Sequence, residues 1–173
     1  ADVVIGAPDS GVSPALGFAE AAGLPFEIGV IKNRYVGRTF LQPAQAGRQL
    51  AVHIKLNPVV EVLKGKRVAV VDDSIVRGTT SGKLINLLRE AGAREVHMYV
   101  ASPPYRYPCL YGIEPSSKSE LVARGRTLEE LRNFIEADSL HYISVEGLVR
   151  AIGIPKDELC LACFTGEYRI CGS

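Results

Sequence analysis

Apolar residues along the chain form short runs that alternate with stretches of helical spacing. Continuous apolar runs begin at Val3 and Val68, and each has the length of a strand that is buried on both faces of a parallel sheet. A third stretch, over residues 94–101, alternates apolar and polar side chains. Between the strands, apolar residues recur every three to four positions, as at Leu84 and Leu88. This alternation predicts an α/β fold with a mainly parallel sheet and helices on both faces.

Capping residues predict where the elements of the first half begin and end. Ser13 suits the N-cap and Pro14 the first position of a helix that stops at Gly23. A strand is then expected over residues 25–31. A later helix, which follows the strand at Val68, is expected to stop at Gly92.

The second half of the chain carries similar signals. Thr127 and Glu130 have the spacing of a capping box and precede residues with a helical apolar face. A short strand is expected over residues 139–144. Ser144 is then expected to cap a last helix that ends near Gly153.

The central stretch of the chain, residues 67–81, carries the most specific chemistry. Its buried run ends at two adjacent carboxylates, Asp72 and Asp73, and a turn of glycine and hydroxyl residues, 78–81, then opens a helix. Free backbone N–H groups and short hydroxyls at a helix start form a phosphate cradle. The carboxylates would repel a phosphate, so they suit sugar hydroxyls or a hard cation such as Mg²⁺. A ribose 5-phosphate satisfies both halves; the alternative is a turn whose aspartates are merely solvated.

Composition limits the classes of protein to consider. The chain has 173 residues, 47% hydrophobic and 23% charged, which is enough for one domain with a core. We assign residues 1–153 to that domain and residues 154–173 to an irregular, cysteine-containing C-terminal tail. A net charge of +1 favours neither nucleic acid nor an anionic membrane as partner. Four cysteines without a secretory leader favour a reducing compartment, the cytoplasm.

Basic charge is concentrated in one segment. Residues 32–67 contain eight lysines and arginines but one acid, Glu61, so the segment carries +7 and the rest of the chain −6. Its glycines and prolines predict a mobile loop, and its charge suits a polyphosphate ligand. The alternative is a solvated basic face that binds nucleic acid. That surface would need several stacking aromatic residues, and only Tyr35 and Phe40 are available.

Histidines offer no candidate general base. His97 lies within the strand over residues 94–101. We interpret it as having no acidic partner nearby in sequence, so we expect His97 to have a structural role. His53 and His141 have no stronger case.

Three stretches resemble type I phosphoribosyltransferases, enzymes that use phosphoribosyl pyrophosphate (PRPP). They are Val-Val-Asp-Asp-Ser-Ile-Val-Arg-Gly-Thr-Thr-Ser over residues 70–81, the segment 32–40, and Cys-Leu-Ala-Cys-Phe-Thr-Gly over residues 160–166. The first is most similar to the glutamine PRPP amidotransferases, in which PRPP and ammonia give phosphoribosylamine and pyrophosphate, the first step of purine synthesis. The resemblance extends from about residue 1 to residue 168. It implies the type I phosphoribosyltransferase fold.

The resemblance also implies roles for individual residues. Mg²⁺ would be held by Ser10, Asp72 and Asp73, with the two aspartates also holding the ribose hydroxyls. A catalytic segment that closes over PRPP would contain Lys32, Arg34, Tyr35 and Arg38. The implied PRPP-binding residues are Asp9, Ser10, Gly11, Asp72, Asp73, Ser74, Ile75, Val76, Arg77, Gly78, Thr79, Thr80 and Ser81.

Cysteines near the C-terminus allow several interpretations. Cys160 and Cys163 are spaced like a redox pair, but their position near the end of the chain is unusual for one. A zinc site or a four-iron cluster would each need four ligands. The resemblance implies that Cys109, Cys160 and Cys163 are ligands of a [4Fe-4S] cluster, with the fourth ligand upstream of this sequence. Cys171 matches nothing in the pattern, and zinc-binding or inert thiols remain alternatives.

The resemblance has implications for the wider protein. In the amidotransferases a glutaminase domain comes first, so we interpret this chain as a fragment without it. Expected partners are PRPP and ammonia, with purine nucleotides as feedback inhibitors and a homo-oligomer at full length. Two rival functions stay open, a base-salvage phosphoribosyltransferase and a non-catalytic PRPP or nucleotide sensor of the same fold.

Overall fold

Strands and helices alternate along the chain, as the hydrophobic pattern predicts. The computed structural model describes residues 1–33, 56–111 and 120–168. Its strands are β1 (Val3–Gly6), β2 (Val30–Lys32), β3 (Leu56–Pro58), β4 (Arg67–Asp72), β5 (Glu95–Val100) and β6 (Ser139–Tyr142). Its α-helices are α1 (Val12–Ala22), α2 (Val60–Leu63), α3 (Thr79–Glu90), α4 (Leu128–Phe134), α5 (Val145–Ile152) and α6 (Ala162–Thr165).

The central sheet has four strands in the order β1-β4-β5-β6, and every neighbouring pair is parallel. Val3 pairs with Val68 in register, and Arg67 pairs with Glu95. Because the strands are parallel, their carboxyl ends meet at one edge of the sheet. That edge is where ligands bind in open α/β sheets.

Helices cover both faces of the sheet, which confirms the predicted architecture. On one face, Ala15 and Ala19 of α1 pack against Val4 and Val71. On the other face, a larger core joins α3 and α4 to the sheet. Its fully buried members include Ile5, Leu63, Val68, Val70, Ile85, Leu88, Met98, Leu131 and Ile135. Successive strand residues thus point to opposite cores, as the pleat requires.

Most of the predicted helix ends are confirmed. Gly23 follows α1 with φ of 63°, and Gly153 follows α5 with φ of 74°. Thr127 forms the predicted capping box with Glu130, and the Ser144 side chain accepts a hydrogen bond from the Gly147 N–H. Each of these signals depends on residues within one turn of the helix end, so the sequence alone reveals it.

The predicted start of α1 is wrong. Gly11 is the N-cap, so Ser13 and Pro14 occupy the second and third helical positions. A Cβ on Gly11 would lie 2.3 Å from the Val71 carbonyl oxygen, which leaves room only for glycine here. The close approach of this loop to β4 therefore sets the N-cap, and a capping side chain does not.

The strand expected over residues 25–31 is also wrong in its extent. Phe26 forms a single parallel bridge with Val4, and regular pairing begins only at β2. Strand β2 pairs antiparallel with β3, forming a separate two-stranded sheet. Elements β3 and α2 therefore lie within the segment interpreted as a mobile loop. Residues 34–55 of that segment lie outside the described residues.

His97 has an acidic partner, contrary to the sequence interpretation. Its Nε2 lies 3.1 Å from Glu95 Oε2, and its Nδ1 lies 3.0 Å from Ser139 Oγ. Glu95 precedes His97 by two positions, so both side chains point to the same face of β5. The pair links β5 to β6 away from the carboxyl edge of the sheet.

The tail is less irregular than expected. A 3₁₀ turn spans Lys156–Glu158, and α6 follows it. Within the described part of the chain, no helix is both long enough and apolar enough to cross a membrane.

Candidate functional site

A cavity of about 530 Å³ opens at the carboxyl edge of the sheet, where β1 and β4 end and α3 begins. It brings together two segments that are far apart in sequence, the β1–α1 loop and the β4–α3 loop. The lining residues are Ala7, Pro8, Ser10, Leu56, Asp72, Asp73, Ser74, Ile75, Val76, Arg77, Gly78, Thr79, Thr80, Ser81 and Leu84. The predicted phosphate cradle and the predicted carboxylate pair thus share one cavity.

The cradle is formed by the first turn of α3. Gly78 is its N-cap with φ of 74°, and no side chain caps the helix. The first backbone N–H groups of a helix have no partner within the helix, so here they are available to an anion. Thr79 and Thr80 are exposed beside them, whereas Ile75, only 2% exposed, anchors the loop in the core.

Glycine is required at position 78 for two reasons. Its positive φ disfavours any residue with a Cβ, and a Cβ would also lie 2.8 Å from Cε1 of Phe134. Phe134 belongs to α4, so a neighbouring helix packs directly behind the cradle.

The two carboxylates differ in their surroundings. Asp72 is the last residue of β4 and is half-buried, whereas Asp73 is exposed. The Asp73 N–H donates to Asp72 Oδ1 at 2.9 Å, and the Ser74 hydroxyl donates to Asp73 Oδ1 at 3.4 Å. Burial raises the pKa of Asp72 to about 7, and the nearby charge of Asp73 adds to the increase. Asp72 therefore changes its charge near neutral pH.

The β1–α1 loop forms the opposite wall. Asp9 and Ser10 are exposed, Gly11 is buried, and the Pro8–Asp9 peptide bond is cis. Lys32 Nζ forms an ion pair with Asp9 Oδ2 at 2.8 Å, which brings the end of β2 to this loop. The other three predicted catalytic residues, Arg34, Tyr35 and Arg38, lie outside the described residues.

Several residues near the cavity were not identified from the sequence. Glu120 forms an ion pair with Arg77 at 3.1 Å, and the Val122 N–H donates to the Val76 carbonyl at 2.9 Å. Leu56 contributes an apolar wall. These contacts join segments more than 15 residues apart, and no local pattern in the sequence announces them.

The donor set at the cavity fits a magnesium ion. Mg²⁺ usually binds one or two protein carboxylates and takes its remaining oxygens from water and substrate phosphates. Asp72 and Asp73 supply the carboxylates, and Ser10 lies in the same lining. Across residues 1–33, 56–111 and 120–168, no three His, Cys, Asp or Glu side chains converge as a metal-binding group.

The cysteine-bearing tail packs against the loop that follows β5. The Arg106 and Tyr107 N–H groups both donate to the Cys163 carbonyl at 3.1 Å. Burial raises the pKa of the Cys163 thiol, and the charges of Cys109 and Cys160 raise it further, so the three thiols lie near one another. They do not form a closed metal-binding group within the described residues. The expected iron–sulfur cluster is therefore not shown.

A second, larger cavity of about 660 Å³ lies beside Cys160, between Tyr111 and the tail. Its lining includes two adjacent carboxylates, Asp157 and Glu158, but these lie in the 3₁₀ turn, and the helix that starts nearby, α6, has only four residues. The smaller cavity is the better candidate, because its paired carboxylates lie beside the uncapped first turn of the 12-residue helix α3.

Comparison with known families agrees with this geometry. Residues 1–105 match the model of the phosphoribosyl transferase domain, and these residues include the whole cavity lining. The chain belongs to this family. The fold is accordingly the type I phosphoribosyltransferase fold, as predicted.

Individual relatives show which members of the phosphoribosyltransferase family this chain resembles. The chain is 56% identical over 172 residues to an amidophosphoribosyltransferase of Bacillus subtilis, covering 97% of this chain and 36% of that protein. It is 56% identical over 168 residues to an amidophosphoribosyltransferase of Methanocaldococcus jannaschii, covering 97% of this chain and 35% of the relative. The chain therefore spans about a third of the length of these relatives.

Comparison with a solved structure agrees with these sequence comparisons. The B. subtilis glutamine PRPP amidotransferase, complexed with ADP and GMP, has a TM-score of 0.88 and 56% identity. The alignment covers 96% of this chain and 38% of that one.

Proposed function

We propose that this chain binds PRPP as its magnesium complex and transfers the phosphoribosyl group to ammonia, giving phosphoribosylamine and pyrophosphate. This would be the first step of purine synthesis. One observation carries the proposal: the phosphate cradle and the carboxylate pair line one cavity in a chain that is 56% identical to amidophosphoribosyltransferases.

Each wall of the cavity has its own part in binding. The first turn of α3, with Arg77 to Ser81, would bind the 5-phosphate through backbone N–H groups and hydroxyls. Asp72 and Asp73 would hold the ribose hydroxyls and, with Ser10, the magnesium ion. The loop from Asp9 to Gly11 would take the pyrophosphate.

The basic segment would complete the site. Lys32 lies at the β1–α1 loop, where it pairs with Asp9. Together with Arg34 and Arg38 it would neutralise the leaving group. With Tyr35 these residues would also exclude water, which would otherwise hydrolyse PRPP.

The reaction exchanges one bond for another at C1 of the ribose. The bond from C1 to the pyrophosphate oxygen breaks, and its electron pair leaves with pyrophosphate. The nitrogen lone pair of ammonia forms the new bond to C1 from the opposite face, and one proton passes from nitrogen to solvent. Bound Mg²⁺ would shield the charge of the leaving group. The ribose becomes cationic at the transition state, so nearby carboxylates stabilise it electrostatically.

Phosphoribosyl transfer to ammonia is favoured over the rival functions. The B. subtilis and M. jannaschii relatives, which align over 97% of this chain, are both called amidophosphoribosyltransferases. The B. subtilis enzyme is complexed with ADP and GMP, which supports purine nucleotides as ligands of this chain, and we infer that they act as its inhibitors. A nucleotide carries the same 5-phosphate as PRPP, so it would compete for the cradle.

Turnover with free ammonia tests the proposal. The purified chain should release pyrophosphate from Mg-PRPP in ammonium buffer at alkaline pH, and Asp73→Asn should abolish most of this release. Glu129→Gln is a matched control because it removes a carboxylate from the exposed surface of α4, where the side chain is 80% exposed. A folded chain that binds Mg-PRPP without consuming it would favour the sensor instead.

We further propose that Cys109, Cys160 and Cys163 supply three of the four thiolates of an iron–sulfur cluster, with a fourth from outside the described residues. The support is the mutual influence of their charges and the packing of their two segments. The full-length protein, purified without oxygen, should contain about four iron and four sulfide per chain. Stoichiometric zinc, or no metal, would contradict this.

A further inference from the structure

Arg77 lies at the wall of the candidate site, at the start of the phosphate cradle. It directly precedes Gly78, the N-cap of α3, and it is one of the residues that line the cavity. Its side chain is 62% exposed, and an exposed arginine samples many rotamers unless a partner holds it. Binding a phosphate to an arginine without a partner would cost the conformational entropy of fixing that side chain.

Glu120 provides such a partner from a segment that is distant in sequence. Its Oε2 accepts a hydrogen bond from Arg77 Nη2 at 3.1 Å, across 43 positions of the chain. The ion pair engages one of the three guanidinium nitrogens, and a guanidinium has five N–H donors in all. Arg77 can therefore bind a phosphate while Glu120 holds it.

The backbone that carries Glu120 is itself attached to the cradle loop. The Val122 N–H donates to the Val76 carbonyl at 2.9 Å. Residues 121–123 are buried, with no more than 4% of each exposed. Val122 Cγ2 would lie 3.4 Å from a Cβ added at Gly78, so the segment packs beside the start of α3. Glu120 thus extends from a fixed support towards Arg77.

The negative charge of Glu120 repels a phosphate, so two effects of this residue oppose each other. Both side chains of the ion pair are open to water, at 62% and 42% exposure, so solvent and salt screen the charge. The restriction of Arg77 to one rotamer does not depend on that long-range charge. We therefore expect the ordering of Arg77 to outweigh the repulsion.

We propose that Glu120 is a positioning residue: through its ion pair with Arg77, it holds the guanidinium at the cavity wall for the 5-phosphate of the ligand. Glu120 is not among the residues that line the cavity, and it acts only by reducing the entropy cost of fixing Arg77. The segment that begins at Glu120 thereby takes part in phosphate recognition. This inference rests on the proposed function, which assigns the cradle to the 5-phosphate.

Calorimetric titration with ribose 5-phosphate tests the inference. Glu120→Ala should weaken its binding about twofold to tenfold, the range for one side chain that must be ordered on binding. Glu120→Gln keeps an oxygen that can accept from Arg77, so it should weaken binding less than Glu120→Ala does. Magnesium pyrophosphate, which would bind at residues 9–11, should bind equally to all the variants. Glu129→Ala is the matched control, because Glu129 belongs to an exposed pair with Arg132 on α4.

A double-mutant cycle shows whether Glu120 acts through Arg77. Glu120→Ala should have no further effect on ribose 5-phosphate binding in an Arg77→Ala background. An equal effect in both backgrounds, or an equal loss of magnesium pyrophosphate binding, would overturn the inference.

Three other results would also overturn it. They are unchanged or tighter binding of ribose 5-phosphate by Glu120→Ala, a loss in Glu120→Gln as large as that in Glu120→Ala, and an Arg77→Ala variant that binds ribose 5-phosphate like the unaltered chain. An unaltered chain that binds neither ribose 5-phosphate nor Mg-PRPP would instead overturn the proposed function, and this inference with it.

Discussion

Asp72→Asn tests the electrostatics of the site most directly, through the stability of the empty protein. Burial raises the pKa of Asp72 from 3.8 to about 7. Between pH 3.8 and about pH 7, the Asp72 carboxyl group is therefore mostly protonated in the folded protein and mostly ionised in the unfolded chain. The contribution of Asp72 to stability is therefore greatest below pH 4, falls as pH rises towards 7, and is constant above that.

The structure sets the size of the effect. A rise of about three pKa units corresponds to about 4 kcal/mol at complete burial. Asp72 is only half-buried, at the wall of an open cavity, so we expect about 2 kcal/mol. Asparagine has the same shape and can still accept the Asp73 N–H, but it never carries charge. The variant should therefore exceed the parent in stability at pH 8 by about 2 kcal/mol, and by less at pH 5.

Urea unfolding at several pH values from 5 to 8 measures this difference, provided that the slope against urea is the same in both proteins. Asp73→Asn is the matched control. It changes only the contributions that the Asp73 side chain makes to the pKa of Asp72, which are smaller than that of burial, so the gain in stability should be clearly smaller. A gain that is the same at pH 5 and pH 8, or a variant less stable than the parent at pH 8, would refute the reasoning.

Three further predictions concern single residues of the site and its support. Asp73→Asn should weaken Mg-PRPP binding by about 1.5–3 kcal/mol in calorimetry, because it removes a charge-assisted contact; unchanged affinity would remove its ligand role. Gly78→Ala should destabilise the fold by about 1–2 kcal/mol in thermal unfolding, because residue 78 has a positive φ and an added Cβ would lie close to Phe134. Gly17→Ala is the control: its Cβ would meet nothing within 4 Å, so it should be neutral or stabilising in the same measurement. Thr127→Ala should cost about 1 kcal/mol by loss of the capping box; an unchanged melting temperature would contradict it.

Much of the fold could be predicted because its signals are local. The runs at β1 and β4 are apolar throughout since both faces of these strands are buried. The capping box at Thr127 and the glycine after α5 depend on contacts within a single turn. The cradle is equally local, since a glycine at the start of α3 and two threonines after it lie together in sequence.

The rest could not be predicted because it depends on contacts between distant segments. The N-cap of α1 is set by the approach of Gly11 to β4, and β2 finds its partner more than 20 residues away in β3. The position of Asp72 at a strand end suggests exposure, yet the structure half-buries it.

A half-buried carboxylate at a strand end reduces the stability of the empty protein, and a cation bound in the cavity would offset that cost. The desolvation that raises the pKa of Asp72 also removes the water that would screen it from a cation. A bound Mg²⁺ would reverse the balance, because it favours the charged form and lowers the pKa again. The free energy lost in the empty protein would thus become part of the proposed preference for a magnesium-bound ligand over a free phosphate. The exposed Asp73, one residue further on, cannot provide this, which is why the two neighbouring aspartates are not equivalent.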